Sequence, residues 1–423
     1  MKNFKLSTIA SALSATDRAI YSPATFATFA QGLVKPLSPP AGIAMDDLNV
    51  VNPDSKYLTS PLALSSAGVA DISPTPKPCI FTQRDRSKAN STILMGDSGG
   101  HQVAKGTIIL TDAVVEDIFY YETGTCDIGH TLDIPTAPMY DQEKNGEIYS
   151  RPTFDSCLFE TVKYLEVFKS LGAENHKFLN VLQGRGMADT DIWYDTVKAY
   201  NHFGWSFADI QSNPLQLTLW RILRLIEDGM FERDATWLHF LGVGDLKTSL
   251  ILTTILRMLR EWFDGKCEIN ISYDTKTAFS RAVNLDYMVA PNIRVDQFSC
   301  AWGHIDKARW EGNSADKFPA SMTSVGKLLT KGDLIYENWQ ADPDIDEIRT
   351  LILSHHNLEM TFLSIDAAHN ALDTGQTDKI PQALLKAIEA IKLVLGTKDV
   401  TAAKRRLLDR KYLKPLNDAY KKK

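Results

Sequence analysis

The densest cluster of chemistry-bearing side chains in this 423-residue chain is LMGDSGGHQV, Leu94 to Val103. An apolar lead-in ends on a carboxylate, Asp97, followed by the hydroxyl of Ser98, the pair Gly99 and Gly100, and the imidazole of His101. A turn needs one glycine; a second lets backbone N–H groups approach a flat ring closely. A second carboxylate, Asp274, ends the apolar run EINISY much later in the chain. Two carboxylates facing one pocket are what glycosidic-bond chemistry uses. One attacks the anomeric carbon and the other manages the proton on the departing group. Asp133 and Gln183 end two intermediate runs. A carboxylate and an amide together can read the polar edge of a purine, accepting from ring N–H and exocyclic NH2 and donating to a carbonyl. Taken singly, each aspartate reads as a helix N-cap. Taken together at successive run ends, they read as a site.

The elements that must position these groups follow a regular beat. From about residue 90, short apolar runs alternate with longer amphipathic segments: STILMG then Asp97, GHTL then Asp133, KFLNVL then Gln183, FGWSFA then Asp209, WLHFLGVG then Asp245, and EINISY then Asp274. Between them lie helical stretches such as FDSCLFETVKYLEVFKSLG and LKTSLILTTILRMLREWF, with apolar residues at helical spacing. Alternating strand and helix predicts a parallel sheet. Six successive strand ends carrying polar groups favour a (β/α)8 barrel, whose strand C-termini converge on one face, over an open doubly wound sheet with a single switch point. The expected organisation is an irregular N-terminal segment over 1–85 holding one or two early strands, a barrel core over 86–290, an insert or small subdomain over 291–343, and final barrel helices with a basic tail over 344–423. From Lys404 onward nine Lys or Arg stand against two Asp, which reads either as a solvated helix end or as a phosphate contact.

Composition narrows the class. With 44% hydrophobic and 23% charged residues the chain reads as a soluble globular protein, and a net charge of −6 argues against a uniformly basic coat. Five irregularly spaced cysteines suggest reduced thiols in a cytoplasm rather than a disulfide framework. The N-terminus MKNFKLSTIASALSA has too broken an apolar core for a secretory signal, and the most apolar run, SLILTTILRML, falls short of the ~20 residues a bilayer needs. A cytoplasmic protein with no membrane partner is expected.

Ordered short motifs between Leu94 and Asn357 give the chain a family likeness. DSGGHQ looks like the DSGG[FY]Q loop of the tRNA-guanine transglycosylases and their DNA-acting relatives, the 7-deazaguanine DNA transglycosylases. LDIPTAP, NVLQGRG, HFLGVGD, ISYDTKT and SHHNLEM resemble that family's later motifs in the same order. The resemblance implies a base exchange by double displacement, with Asp274 as nucleophile at C1′ and Asp97 as general acid and base. Ser98, Gly99, Gly100, His101, Asp133, Gln183, Gly184, Ala208, Asp209, Leu241 and Gly242 would surround the base. No cofactor is implied for the chemistry, since a covalent ester carries the sugar between the two halves of the reaction.

The departures are specific. Ala208 and Asp209 replace a glycine pair, and TKTAFSR follows Asp274 where the family has LPTR. The family's C-x-C-x2-C zinc motif is absent. His356 matches its last ligand, and Cys300 and His304, with His355 or an aspartate, are the candidates to complete a structural zinc site. The alternative is a packed core in place of the metal. The eroded zinc motif, the arginine in LQGRG, the long N-terminal segment and the basic tail favour DNA as the polymer, in a phage-encoded enzyme acting in a host cytoplasm. A tRNA enzyme, a non-catalytic nucleic-acid-binding paralogue and a barrel glycoside hydrolase are the alternatives. Expected partners are therefore DNA (or tRNA), guanine and a 7-deazaguanine such as preQ0, with room for a homodimer. DNA also demands extrusion of the target nucleotide, for which Trp302, or Trp310 beside Arg309, could serve as a wedge.

Overall fold

The computed structural model describes residues 16–66, 77–85, 92–136, 153–200, 202–208, 214–233, 235–335 and 343–419. Eight parallel strands run through it: β1 (Ile20–Thr25), β2 (Leu62–Ser66), β3 (Ile93–Asp97), β4 (Gly129–His130), β5 (Phe178–Leu182), β6 (Gly204–Phe207), β7 (Trp237–Phe240) and β8 (Asn270–Thr275). Their order in the sheet is β3-β2-β1-β8-β7-β6-β5-β4. The two ends approach through a Met95–Ile128 bridge and a Gly96 N–H to Ile128 carbonyl bond of 2.8 Å, which brings the sheet close to a closed barrel.

The pairing registers set the barrel's geometry. A row of paired residues starting at Asp274 passes to Ser22 and, with each register extended, through Leu62 and Ile93 and on around the sheet. It returns to the starting strand at Lys266, eight residues lower. A shear of eight with eight strands is the geometry of the (β/α)8 barrel. It also means that a level plane climbs about one residue per strand relative to the hydrogen-bonded row. Three strands on from Asp274, that plane meets β3 beside Asp97, so the two aspartates share one rim.

The helices alternate with the strands and cover them: α1 (Asp112–Thr125), α2 (Phe154–Ser170), α3 (Met187–Val197), α4 (Leu215–Glu227), α5 (Leu246–Trp262) and α6 (Thr277–Val283). Thr111, Thr153 and Asp245 cap α1, α2 and α5 by accepting backbone N–H bonds in their first turns. Asp245, one of the six polar strand ends, is thus a helix cap; it also accepts the Thr248 hydroxyl at 3.0 Å. Leu219, Ile222, Leu223 and Ile226 of α4 and Leu252, Ile255, Leu256 and Leu259 of α5 are buried in the main hydrophobic core. No helix among the described residues is long and apolar enough to cross a membrane.

Two features differ from the sequence expectation. The barrel starts at Ile20 rather than at the expected core boundary of 86, because the early strands expected in the N-terminal segment are two complete staves, β1 and β2. Both are serine-bearing and β1 contains Pro23, which lacks a ladder donor, so β1 shows no apolar run and that of β2 stops after Leu62, Ala63 and Leu64. After α6 comes an antiparallel hairpin, β9 (Asp286–Arg294) with β10 (Gln297–His304), so the boundary expected at 291 falls inside a strand. The 31-residue helix α7 (Pro343–Asp373) holds this hairpin to the barrel. Asn357 of α7 accepts the Met288 N–H at 2.8 Å and donates to the carbonyls of Ala278 and Asp286. Three further helices, α8 (Gln382–Leu395), α9 (Val400–Leu408) and α10 (Arg410–Asp418), complete the chain. Some charges of this basic end are spent internally: Lys404 pairs with Glu227 at 2.6 Å and Lys398 with Asp264 at 2.8 Å. Lys421 to Lys423 lie outside the described residues.

Candidate active site

Strand alternation decides which side chains face the barrel interior. The lower interior is an apolar cluster: Ile20, Leu62, Leu64, Ile93, Met95, Ile128, Leu179 and Trp237. Two positions further along from Ile20, Ile128 and Trp237, and on β6 and β8, the interior turns polar. Ser22, His130, Ser206, His239, Ser272 and Asp274 are all buried there. Within this layer Ser22 lies beside Asp274, and Ser206 beside His239, across paired strands. The rings of His130 and His239 meet edge to face at 5.2 Å between centroids.

Asp274 is held from β7. Its Oδ1 accepts the Gly242 N–H at 2.8 Å and lies 3.2 Å from His239 Nε2. Gly242 delivers that N–H from a left-handed backbone, φ +70°, which a side-chain-bearing residue adopts only at a cost. On the other face of His239, Nδ1 is 2.8 Å from Ser272 Oγ, which also accepts the Trp237 indole N–H at 2.8 Å.

Asp97 lies half-buried at the end of β3. Burial pushes its carboxyl up to about 6; the Gly99 N–H, donating to Oδ1 at 3.1 Å, works against that rise, and the charge of Asp274 adds to it. The second glycine of the pair has a packing reason. A Cβ on Gly100 would lie 3.2 Å from both the carbonyl and the carboxylate oxygen of Asp133, so a side chain would press the β3 and β4 loops apart. Behind these strands Glu122 of α1 accepts the His130 N–H at 3.3 Å, and burial drives its carboxyl well above the usual range. His130 Nδ1 must carry a proton, because it contacts the Gly96 carbonyl, which can only accept. Burial holds this ring neutral, its pKa pushed down to about 3. His130 Nε2, Ser22 Oγ and Ser206 Oγ have no hydrogen-bond partner among the described residues. The polar layer therefore keeps unspent hydrogen-bonding capacity.

The base-reading candidates also meet. Gln183 donates to Asp133 Oδ2 at 2.6 Å, and its own carbonyl accepts the Thr136 hydroxyl and N–H at 3.2 and 3.4 Å. Ser98 is buried with its hydroxyl on the Thr131 carbonyl at 3.3 Å. Arg221 of α4, fully buried, donates to the carbonyls of Gly184 at 2.6 Å and Ala208 at 3.3 Å, tying the ends of β5 and β6 together. Leu241 is half-buried and Gly242 exposed at the end of β7. His101 falls in the short helix Gly100–Ala104, with its side chain outside the described residues, as is Asp209 altogether.

The metal candidates are not gathered. His356 is buried with both ring nitrogens engaged, Nδ1 with the Thr323 hydroxyl at 2.7 Å and Nε2 with the Met288 carbonyl at 2.8 Å. His304 is exposed and pairs with Asp286 at 2.9 Å. Cys300 sits in mid-hairpin opposite Pro291. Among the described residues no three His, Cys, Asp or Glu side chains are placed to hold an ion. These residues do not fit the zinc site implied by the resemblance: the position of its last ligand is a hydrogen-bonded core histidine. The wedge candidates divide as well. Trp310 packs in the core against Tyr287 and Phe318, and Trp302 lies half-buried under the Arg281 guanidinium, 5.1 Å from its ring centroid.

Sequence reasoning missed His130, Arg221, Trp237, His239 and Ser272. A signal existed for some of them. Period-2 alternation carried back from Asp274 points Ser272 and Asn270 inward, and within WLHFL it gives Trp237, His239 and Leu241 one common face. No protein-family model matches the chain, and no curated protein does.

Proposed function

We propose that the protein is a DNA-guanine transglycosylase that exchanges guanine for a 7-deazaguanine base, preQ0-like, through a covalent aspartyl-glycosyl ester. The observation that carries this reading is the pair Asp97 and Asp274: two carboxylates on one rim of a barrel, in environments that differ sharply. A carboxyl near 6 is part protonated at neutral pH and can both give and take a proton; a carboxylate held by N–H donors suits a nucleophile.

In the first half of the reaction Asp274 attacks C1′. The C1′–N9 bond breaks with its electron pair on the base, and Asp97 supplies the proton that the departing guanine takes up. In the second half Asp97 removes the ring N–H proton of the incoming base. The C1′–N bond forms, and the ester breaks to return Asp274 as a carboxylate. Asp133 and Gln183 orient the base between them, Gln183 fixed in turn by Thr136. The ends of β5 and β6, tied by Arg221, border the same mouth.

The direct test is mass spectrometry of nucleosides from the DNA and the tRNA of cells that make preQ0 and express this chain. A deazaguanosine confined to DNA supports the proposal, and one confined to tRNA transfers the same chemistry to the other polymer. Neither product, with no adduct on Asp274, would leave a binding paralogue. Base release to water that added base does not stimulate would indicate a hydrolase.

A further inference from the structure

We infer that His239 is a positioning residue: an imidazole that donates from Nε2 to Asp274 Oδ1, aims the other oxygen, Oδ2, at the sugar, and stabilises the carboxylate when it departs. This rests on the transglycosylase reading, but its geometry stands independently. The Asp274 carboxylate can only accept, so the His239 nitrogen facing it donates and Nδ1 is left to accept from Ser272 Oγ. That hydroxyl itself takes the Trp237 indole N–H and has Met95 Sδ as a second, weaker acceptor at 3.9 Å. With Nδ1 accepting, the ring proton sits on Nε2, facing Asp274 Oδ1 at 3.2 Å. The chain Trp237, Ser272, His239, Asp274 therefore has one self-consistent direction of donation, and all its members are buried.

Both donors to Asp274, Gly242 N–H and His239, converge on Oδ1. No hydrogen bond among the described residues reaches Oδ2. The carboxylate is thus anchored by one oxygen and leaves the other for bond formation. In the ester, Oδ1 becomes a carbonyl oxygen, a weaker acceptor than a carboxylate. The two donors consequently bind Asp274 more tightly after it leaves than while it is esterified. Their effect falls hardest on the second half of the reaction, the displacement of Asp274 by the incoming base. The His130 ring, packed edge-on at 5.2 Å, keeps the His239 ring from turning away.

The experiment uses the full-length protein, a guanine-containing DNA oligonucleotide and labelled guanine as the incoming base. Adduct formation and its chase by guanine are timed separately. Loss of a hydrogen bond to a charged group predicts that His239→Phe slows the chase by about 30-fold, with DNA affinity changed by less than about 2-fold. Adduct formation, which starts from the carboxylate the donor stabilises, is slowed little or not at all. His239→Gln, whose amide can donate toward Asp274, should recover the chase to within about 5-fold of the parent. A chase at the parental rate in His239→Phe would overturn the proposal. So would equal slowing in the Phe and Gln variants with parallel loss of thermal stability, the result of a merely structural role. If the parent forms no adduct on DNA or tRNA, the transglycosylase reading fails, and nitrogen NMR of the ring still decides the positioning. An Nε2–H tautomer in the parent that loses its preference in Ser272→Ala upholds it, and an Nδ1–H tautomer in the parent overturns it.

Discussion

The two halves of the barrel interior are built from the same strands with the same alternation, yet they have opposite character. Below, Leu62, Leu64, Ile93, Met95, Ile128, Leu179 and Trp237 pack apolar surface against apolar surface. Above, two strand positions on, hydroxyls, imidazoles and carboxylates fill the same cross-section, several without partners among the described residues. Burying unpaired polar groups costs stability. A chain selected for stability alone would have continued the lower pattern upward. The contrast teaches that the apolar half pays for the polar half, whose unpaired groups the proposed chemistry would use. Trp237 spans the two: its ring belongs to the lower cluster and its N–H begins the hydrogen-bond chain to Asp274.

The contrast can be broken from either side. The largest effect is expected at Asp274. Asp274→Ala should lower exchange by about four orders of magnitude and abolish any protein–nucleic acid adduct on a denaturing gel. A surviving adduct would remove Asp274 from the chemistry. Asp97→Asn should keep substrate binding while lowering turnover by about 10²- to 10³-fold. In the parent, the rate of base departure should fall as pH rises through about 6, the value to which burial pushes the Asp97 carboxyl, and the Asn variant should lose that limb. Because the folded carboxyl is raised above its unfolded value, ionising it costs stability at neutral pH. Asp97→Asn should therefore be the more stable protein at pH 8, by up to about 2 kcal/mol, in a denaturant titration. Parent and variant of equal stability would mean that the carboxylate is well solvated.

Below the divide the signs reverse. Leu64→Ala should cost about 3 kcal/mol of stability through the cavity it leaves, with exchange per folded molecule unchanged. An equal loss of activity would mean that the lower half also shapes the site. The smallest effect is on pH alone. Burial depresses the pKa of His130 and His355 to about 3 and of His202 and His356 to about 4. The unfolded chain then binds more protons than the fold between about pH 6.5 and 4, so stability should fall as pH drops through that window. Thermal melts across it check the sign, and a flat profile would show that these rings take up protons without unfolding.

What could be read from the sequence was whatever repeats locally. Apolar runs closing on polar residues located β3 to β8, because a buried parallel strand followed by a loop leaves that mark. β1 carries Ser22 and Pro23 in place of an apolar run, β2 follows its short run with Ser65 and Ser66, and register with β8 and β3, a non-local contact, makes them strands. The six polar strand ends look alike in sequence, yet Asp245 caps a helix while Asp274 is buried and Asp97 half-buried at the rim. That distinction depends on which direction each side chain leaves its strand. Arg221 and Glu122 left no trace, because helix residues reach the site only through the packing of helix on sheet. His356 was legible as a histidine of interest, but not the choice between metal ligand and packed core, because the Thr323 hydroxyl and the Met288 carbonyl that take both its nitrogens come from distant parts of the chain.

Arg221 has a consequence for anyone wishing to redesign this protein. By gripping the carbonyls of Gly184 and Ala208 it ties the shape of the mouth to a helix that never faces it. Libraries confined to lining residues would hold that tether constant and sample only one backbone. Varying position 221 together with its neighbours on the same turn should open alternative mouth shapes, and with them new choices of what may enter.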